Sequence, residues 1–124
     1  MQNWENKTIL ITEDTPMNYK LIEIILRRTK AKLLWAKNGQ EAVDICRENE
    51  DIDAVLMDLQ LPVLDGYEAT TQIKSIRPSL PVITQTAFTF NNERAKSIQA
   101  GADAFLTKPI DAVKLIQVLQ GFIE

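Results

Sequence analysis

Histidine is absent from all 124 residues. That absence excludes Ser-His and Cys-His catalysis, histidine-ligated metals and a phosphohistidine on this chain. Cysteine occurs once, as Cys46, so an internal disulfide is impossible and a reducing compartment is expected. No apolar run approaches the ~20 residues that span a bilayer, so membrane insertion is not expected. The opening MQNWENK has no apolar segment behind a basic start, and a secretory signal is not expected there. A basic excess is also missing. Fourteen basic against seventeen acidic residues leave a net charge of −3, which disfavours direct nucleic acid binding. Chemistry on this chain must use carboxylates, hydroxyls, amides and lysine. With 45% apolar and 25% charged residues the composition is that of one globular domain, free of linkers, repeats and low-complexity stretches.

The apolar pattern alternates between short runs and helical spacing. Thr8-Ile9-Leu10-Ile11-Thr12 reads as a buried strand. Thr15-Pro16 resembles an N-cap followed by proline in the first helical turn. Met17, Leu21, Ile24, Ile25 and Arg28 then predict a helix to about Lys30. Leu33–Ala36 is a second strand, and Ala42, Val43, Ile45 and Cys46 mark a second helix after Asn38-Gly39. Asp53–Met57 is a third strand with almost no polar alternation, as expected when both faces are covered. Helices follow over Gly66–Ile76, Asn92–Ala100 (stopped by Gly101) and about Asp111–Phe122. The inner face of the last is expected to carry Ala112, Leu115, Ile116, Leu119 and Ile123. Pro81–Gln85 and Ala104–Leu106 supply the fourth and fifth strands. Five alternating strand–helix units predict an α/β fold, a parallel sheet with helices on both faces. Ligands of such sheets bind beyond the carboxyl ends of the strands, where strand order reverses.

Those ends collect chemistry. The first strand runs into Glu13-Asp14, the third into Asp58, the fourth into Thr86 and the fifth into Thr107-Lys108-Pro109. Each residue alone has an ordinary reading as a cap, a loop carboxylate or a solvated lysine. Asp58 fits that reading least well, because it directly follows Ala-Val-Leu-Met, where an unpartnered charge is costly. Carboxylates gathered on one rim repel each other, and Mg2+ relieves this while keeping waters and phosphate oxygens as ligands. An aspartate beside such a cation, with an amine and a hydroxyl nearby, is equipped to accept a phosphoryl group.

The ordered pieces Ile9–Asp14, Leu56–Gly66, Thr86-Ala87 and Ala100–Pro109 resemble the response-regulator receiver domains of two-component signalling, over about Lys7 to Phe122. The resemblance implies a flavodoxin-like sheet of order 2-1-3-4-5, a flexible segment over 1–6 and a receiver domain over 7–124. It implies Asp58 as phosphoacceptor for a sensor histidine kinase or histidine phosphotransfer protein. Asp14, Asp58 and the backbone carbonyl of Gln60 would hold Mg2+, with Mn2+ as a substitute and Glu13 acting through water. Lys108, before a cis bond to Pro109, would contact the phosphoryl group. Thr86 would move toward it, and Phe105 would turn with Thr86 as the Ala87–Asn91 loop shifts. The output would be an altered surface offered to a downstream protein in the cytoplasm. Catalysis would extend only to the domain's own phosphorylation and slow dephosphorylation.

Asn18, Asn38-Gly39-Gln40-Glu41-Ala42, Gln60 and Phe90 resemble the receivers of hybrid sensor kinases. Glu13, Thr12 and Phe88 depart from the commonest pattern, Phe88 being bulky enough to shield a phosphoryl group from water or simply to pack on the loop. The last helix lacks the charged pattern of transcription-factor dimers. Three alternatives fit less well. An aspartyl-phosphate hydrolase of the haloacid-dehalogenase type needs a second aspartate where Gln60 stands, and glutamine does no acid–base work. A mononucleotide binder needs a glycine-rich loop, whereas Glu13-Asp14-Thr15-Pro16 is acidic and glycine-free. A degenerate receiver that only binds proteins would lack an acceptor, metal or lysine position, and none is lacking.

Overall fold

A computed structural model of the chain describes residues 3–87 and 92–124. The β-branched and aliphatic runs form β1 (Thr8–Thr12), β2 (Lys32–Ala36), β3 (Ala54–Asp58), β4 (Val82–Thr86) and β5 (Ala104–Thr107). All pair in parallel, in the order β2-β1-β3-β4-β5. The intervening helices are α1 (Pro16–Leu26, continued by a 3-10 turn over Arg27–Thr29), α2 (Gly39–Glu48), α3 (Gly66–Ile76), α4 (Glu93–Ala100) and α5 (Ala112–Ile123). The chain leaves β1 toward β2 and returns past it to β3, so strand order reverses between β1 and β3.

Because side chains alternate along a strand, each strand feeds both faces. Ile9, Ile11, Ala54, Leu56, Ile83 and Leu106 pack with Ile22 and Leu26 of α1 and Leu115 and Leu119 of α5. Leu10, Val55, Met57 and Val82 pack with Val43 and Cys46 of α2 and Ile73 of α3. Side-chain acceptors cap α2, α3 and α5. Asn38 accepts from Glu41 N, Asp65 from Glu68 N, and Asp111 from Val113 N and Lys114 N. Gly101, at φ 106°, closes α4 in the left-handed conformation that suits glycine. Thr15 occupies the N-cap of α1 without capping it; its hydroxyl lies 3.5 Å from Glu13 Oε1 instead.

Two expectations, on α5 and on the N-terminal segment, are corrected, and the structure decides which stripe of α1 is inward. In α1, Met17, Leu21 and Ile24 are exposed, at 82, 44 and 51%. Ile22 and Leu26 face the sheet, because this helix is apolar on two stripes and spacing alone does not say which is inward. In α5, Ala112 is exposed, and Leu115, Leu119 and Ile123 make the inner face. The N-terminal segment is not loose throughout, since Trp4 is 1% exposed and packs with Ile22, Leu26 and Ile123. Its backbone N–H donates to Thr29 O at 2.6 Å and its indole to Glu124 Oε2 at 2.6 Å. The packed unit therefore begins at Trp4 rather than Lys7. An indole buried between the two ends of the chain outweighs the polar residues around it.

The β3–α3 loop folds back tightly on β3. Gly66 N donates to Leu59 O, and a Cβ on Gly66 would run into the carbonyl oxygen of Asp58 and within 2.6 Å of Leu59 Cα. Backbone on both sides leaves no room to yield. Gly66→Ala is therefore expected to cost about 3 kcal/mol, seen as a melting temperature lowered by roughly 10 °C for a domain of this size. An unchanged melt would show that the loop can move off β3.

Candidate functional site

Strand alternation selects the groups that meet at the carboxyl rim. Continuing Ile9 and Ile11 gives Glu13, continuing Ala54 and Leu56 gives Asp58, and continuing Leu106 gives Lys108, all on the α1/α5 face. Lys108 is brought inward by its backbone N–H, which donates to Thr86 O at 2.8 Å. The bond from Lys108 to Pro109 is cis, as the resemblance implies. Asp58 Oδ2 accepts from Lys108 Nζ at 2.9 Å, and Asp58 Oδ1 accepts from Gln60 N at 3.0 Å. The same ammonium donates to Glu13 Oε2 at 3.3 Å. Glu13 and Asp58 are buried and Asp14 is exposed, yet each offers a carboxylate oxygen within 4.8 Å of the others.

The electrostatics follow from that crowding. Burial pushes the Glu13 carboxyl up to about 7, and the charge of Asp58 and a hydrogen bond with it push the same way. The Lys108 ammonium and the Asn18 amide, which donates to Glu13 Oε1 at 3.3 Å, oppose the rise. Burial alone would lower Lys108, but its bond to Asp58 and the charges of Asp58 and Glu13 outweigh burial and raise it. One ammonium thus serves two buried carboxylates, with a third at the solvent edge. This donor set fits a hard divalent cation, which binds through a few carboxylates and retains water on its open side.

Thr86, Phe105 and Gln60 are the remaining described candidates. Thr86 ends β4 fully buried, and by register it shares the opposite face of the sheet with Thr84, Phe105 and Thr107. Phe105 is half-buried in β5. Gln60 is exposed just after β3. Phe88 and Phe90, and with them most of the Ala87–Asn91 loop, lie outside the described residues. Sequence reasoning singled out Asn18 only as part of a pattern and missed its bond to Glu13. It also missed Trp35, whose indole donates to Glu13 O at 2.8 Å. The one available signal was an aromatic beside the aliphatic Leu33, Leu34 and Ala36 of the edge strand. No helix among the described residues is long and apolar enough to cross a membrane.

Fold and site together define a five-stranded α/β domain with a cation-ready carboxylate centre at its topological switch point. The sequence matches the response regulator receiver domain over residues 9–120, and the chain belongs to that family of phosphorylation-activated signalling switches. It is 34% identical to "Hybrid signal transduction histidine kinase I" of Dictyostelium discoideum, covering 90% of this chain but 7% of that protein. It is 32% identical to the polar-differentiation response regulator DivK of Brucella anthropi, covering 94% of this chain and 96% of DivK. Among solved structures, the receiver domain of sensor histidine kinase PA1611 from Pseudomonas aeruginosa, with magnesium in its active-site cleft, is similar. It has a TM-score of 0.88 and 36% identity over 95% of this chain and 98% of that one. The receiver domain of Ssk1, solved with the histidine phosphotransfer protein Ypd1 of Saccharomyces cerevisiae, matches at TM-score 0.89 and 30% identity. That match covers 98% of this chain and 92% of the other.

Proposed function

We propose that Asp58 accepts a phosphoryl group from a phosphohistidine on a sensor kinase or phosphotransfer protein. The observation that carries this reading is the Asp58 carboxylate itself, at the end of a fully buried strand and 2.9 Å from Lys108 Nζ. Asp58 attacks phosphorus while the P–N bond to the donor imidazole breaks. The Gln60 N–H and the Lys108 ammonium orient the carboxylate, and Lys108 then follows the charge onto the phosphoryl oxygens. Asp14, Asp58 and the Gln60 carbonyl would hold Mg2+, or Mn2+ in its place, with Glu13 acting through water. The ion, when bound, neutralises charge on the transferring oxygens. Phosphate on Asp58 draws Thr86 toward it, and Phe105, which shares a face of the sheet with Thr86, turns with it. The surface around α4, β5 and α5 then changes for a downstream protein. The single cysteine and a kinase partner fit a cytoplasmic location. Acetyl phosphate with Mg2+ should add one phosphoryl group, mapped to Asp58 by mass spectrometry; labelling elsewhere, or none, overturns the assignment.

The donor protein is read onto α1. Met17, Leu21 and Ile24 form an exposed apolar stripe on this helix, and Leu21 also lines a cavity of about 320 Å³ with Glu13, Asn18, Lys108, Pro109 and Ile110. Through that cavity the stripe leads to Lys108, the partner of the acceptor carboxylate, and the Ssk1 receiver has been solved with a phosphotransfer protein. Leu21→Asp is expected to slow transfer from a phosphorylated phosphotransfer domain at least tenfold, the effect of losing about 1.4 kcal/mol of docking energy. Labelling by acetyl phosphate, which needs no docking, should stay within twofold of the parent. Equal losses with both donors would place Leu21 in the chemistry or the fold instead.

A further inference from the structure

We infer that Trp35 is a positioning residue for the cation-binding loop, acting through the peptide that joins Glu13 to Asp14. This rests on the reading of Asp14 and Asp58 as cation ligands. Glu13 is held from both sides by the edge strand. Its N–H donates to Ala36 O at 3.0 Å, and its carbonyl accepts the Trp35 indole N–H at 2.8 Å. The carbonyl so held belongs to the peptide unit whose nitrogen is Asp14's. Fixing that plane fixes the direction in which Asp14 leaves the strand, although Asp14 itself is exposed.

The indole is held in turn. Tyr19 of α1 stacks on it, with centroids 4.2 Å apart and planes 10° from parallel, and Lys37 Nζ lies 5.2 Å from the Trp35 ring centroid. The stack ties β2 to α1 across the loop carrying Glu13, Asp14 and Thr15. A leucine or phenylalanine at position 35 would cover the same half-buried surface. Only tryptophan among apolar side chains brings a ring N–H to the carbonyl. The indole therefore does more than fill space: it makes the Asp14 direction part of the resting structure, so the cation does not have to order the loop as it binds.

The test is a Mg2+ titration followed through the two indole N–H resonances of 15N-labelled protein. Trp4, bound to Glu124 near the chain ends, is the internal control. The Trp35 resonance should shift saturably with Mg2+ while the Trp4 resonance holds still. Trp35→Phe keeps a ring against Tyr19 but has no N–H. Its dissociation constant for Mg2+, read from backbone amide shifts, should rise about fivefold, the equivalent of one neutral hydrogen bond of about 1 kcal/mol. A lower melting temperature with an unchanged dissociation constant would make Trp35 merely structural and overturn the proposal. If the variant does not fold, the parent titration still decides, since a Trp35 resonance as still as that of Trp4 overturns it alone. A parent that binds no Mg2+ at all removes the cation reading itself, whereas a binding parent matched by Trp35→Phe removes only the role of Trp35.

Discussion

In a chelating buffer the domain is expected to lose about 3 kcal/mol of stability as pH rises from about 4.5 to about 7. The Glu13 carboxyl ionises near 4.5 in an unfolded chain and near 7 in the folded protein. Between those values the folded state holds a proton that the unfolded state has released, so stability falls as pH rises. The contribution is fully present below about 4.5, is lost through about 7, and stays lost above it. At about 1.4 kcal/mol per pH unit, the rise from about 4.5 to about 7 sets a ceiling of about 3.5 kcal/mol, most of it lost inside that window. Asp58→Asn removes the charge and the hydrogen bond that reinforce burial, so Glu13 falls part of the way back. At pH 8 the variant should exceed the parent by about 1 kcal/mol, or 3–6 °C in melting temperature for a domain of this size. Mg2+ reverses the order. At 100 times its dissociation constant it should stabilise the parent by about 2.7 kcal/mol and a variant without the Asp58 carboxylate by less. Thermal melts of both proteins at pH 5 and 8, in chelator and in Mg2+, check this. Coincident melts at pH 8 with equal Mg2+ responses would remove Asp58 from the shared acidic site.

The fold was legible because the strands are short apolar runs and the breakers stand where the chain turns. Asp58 and Lys108 were legible for a related reason. Asp58 ends an otherwise apolar strand and Lys108 stands two residues after the buried Leu106, so two-residue alternation predicts which face each polar group takes. The inward stripe of α1 was not legible. Met17, Leu21 and Ile24 have helical spacing as good as that of Ile22 and Leu26, and only the sheet decides which stripe is covered. The hidden partners of Glu13 escaped for a different reason. Asn18 acts across a helical turn and Trp35 across a strand pair, and neither contact has a sequence period. The sharing of one ammonium by two carboxylates was also invisible, because Lys108 is 95 residues from Glu13 and 50 from Asp58. From the resemblance alone Lys108 is a phosphoryl contact, whereas in the resting protein it is already the counter-ion of the buried site.

That double duty makes Lys108→Ala the most informative lesion. Glu13 and Asp58 are buried, and this substitution leaves both without the ammonium they share. Breaking a buried pair from one side costs about 3–5 kcal/mol, chiefly because the stranded charge stays buried. Lys108 retains some exposure and Glu13 can take up a proton, so a loss of about 3 kcal/mol at pH 8 in chelator is expected. Domains of this kind have about 5–15 kcal/mol in hand, so the variant should still fold. The pH dependence carries the diagnosis. The Lys108 charge lowers Glu13, so its removal sends that carboxyl above about 7. The window in which stability falls with rising pH then extends upward, and the gap between variant and parent narrows toward pH 5, where Glu13 is protonated in both. Mg2+ should close part of the gap at pH 8 by supplying the missing positive charge. It should not restore the switch if, as proposed, Lys108 follows charge onto the phosphoryl group, a movement that a cation held elsewhere does not replace. The amide spectrum of Lys108→Ala should therefore change little on adding beryllofluoride, while the parent's changes widely and Thr86→Ala resembles the lysine variant. Melts at pH 5 and 8 measure the first effect and the beryllofluoride spectra the second. If Lys108→Ala matches the parent at pH 8 in chelator, the ammonium is not the counter-ion of Glu13 and Asp58. If its spectrum changes as widely as the parent's, the ammonium has no part in the switch.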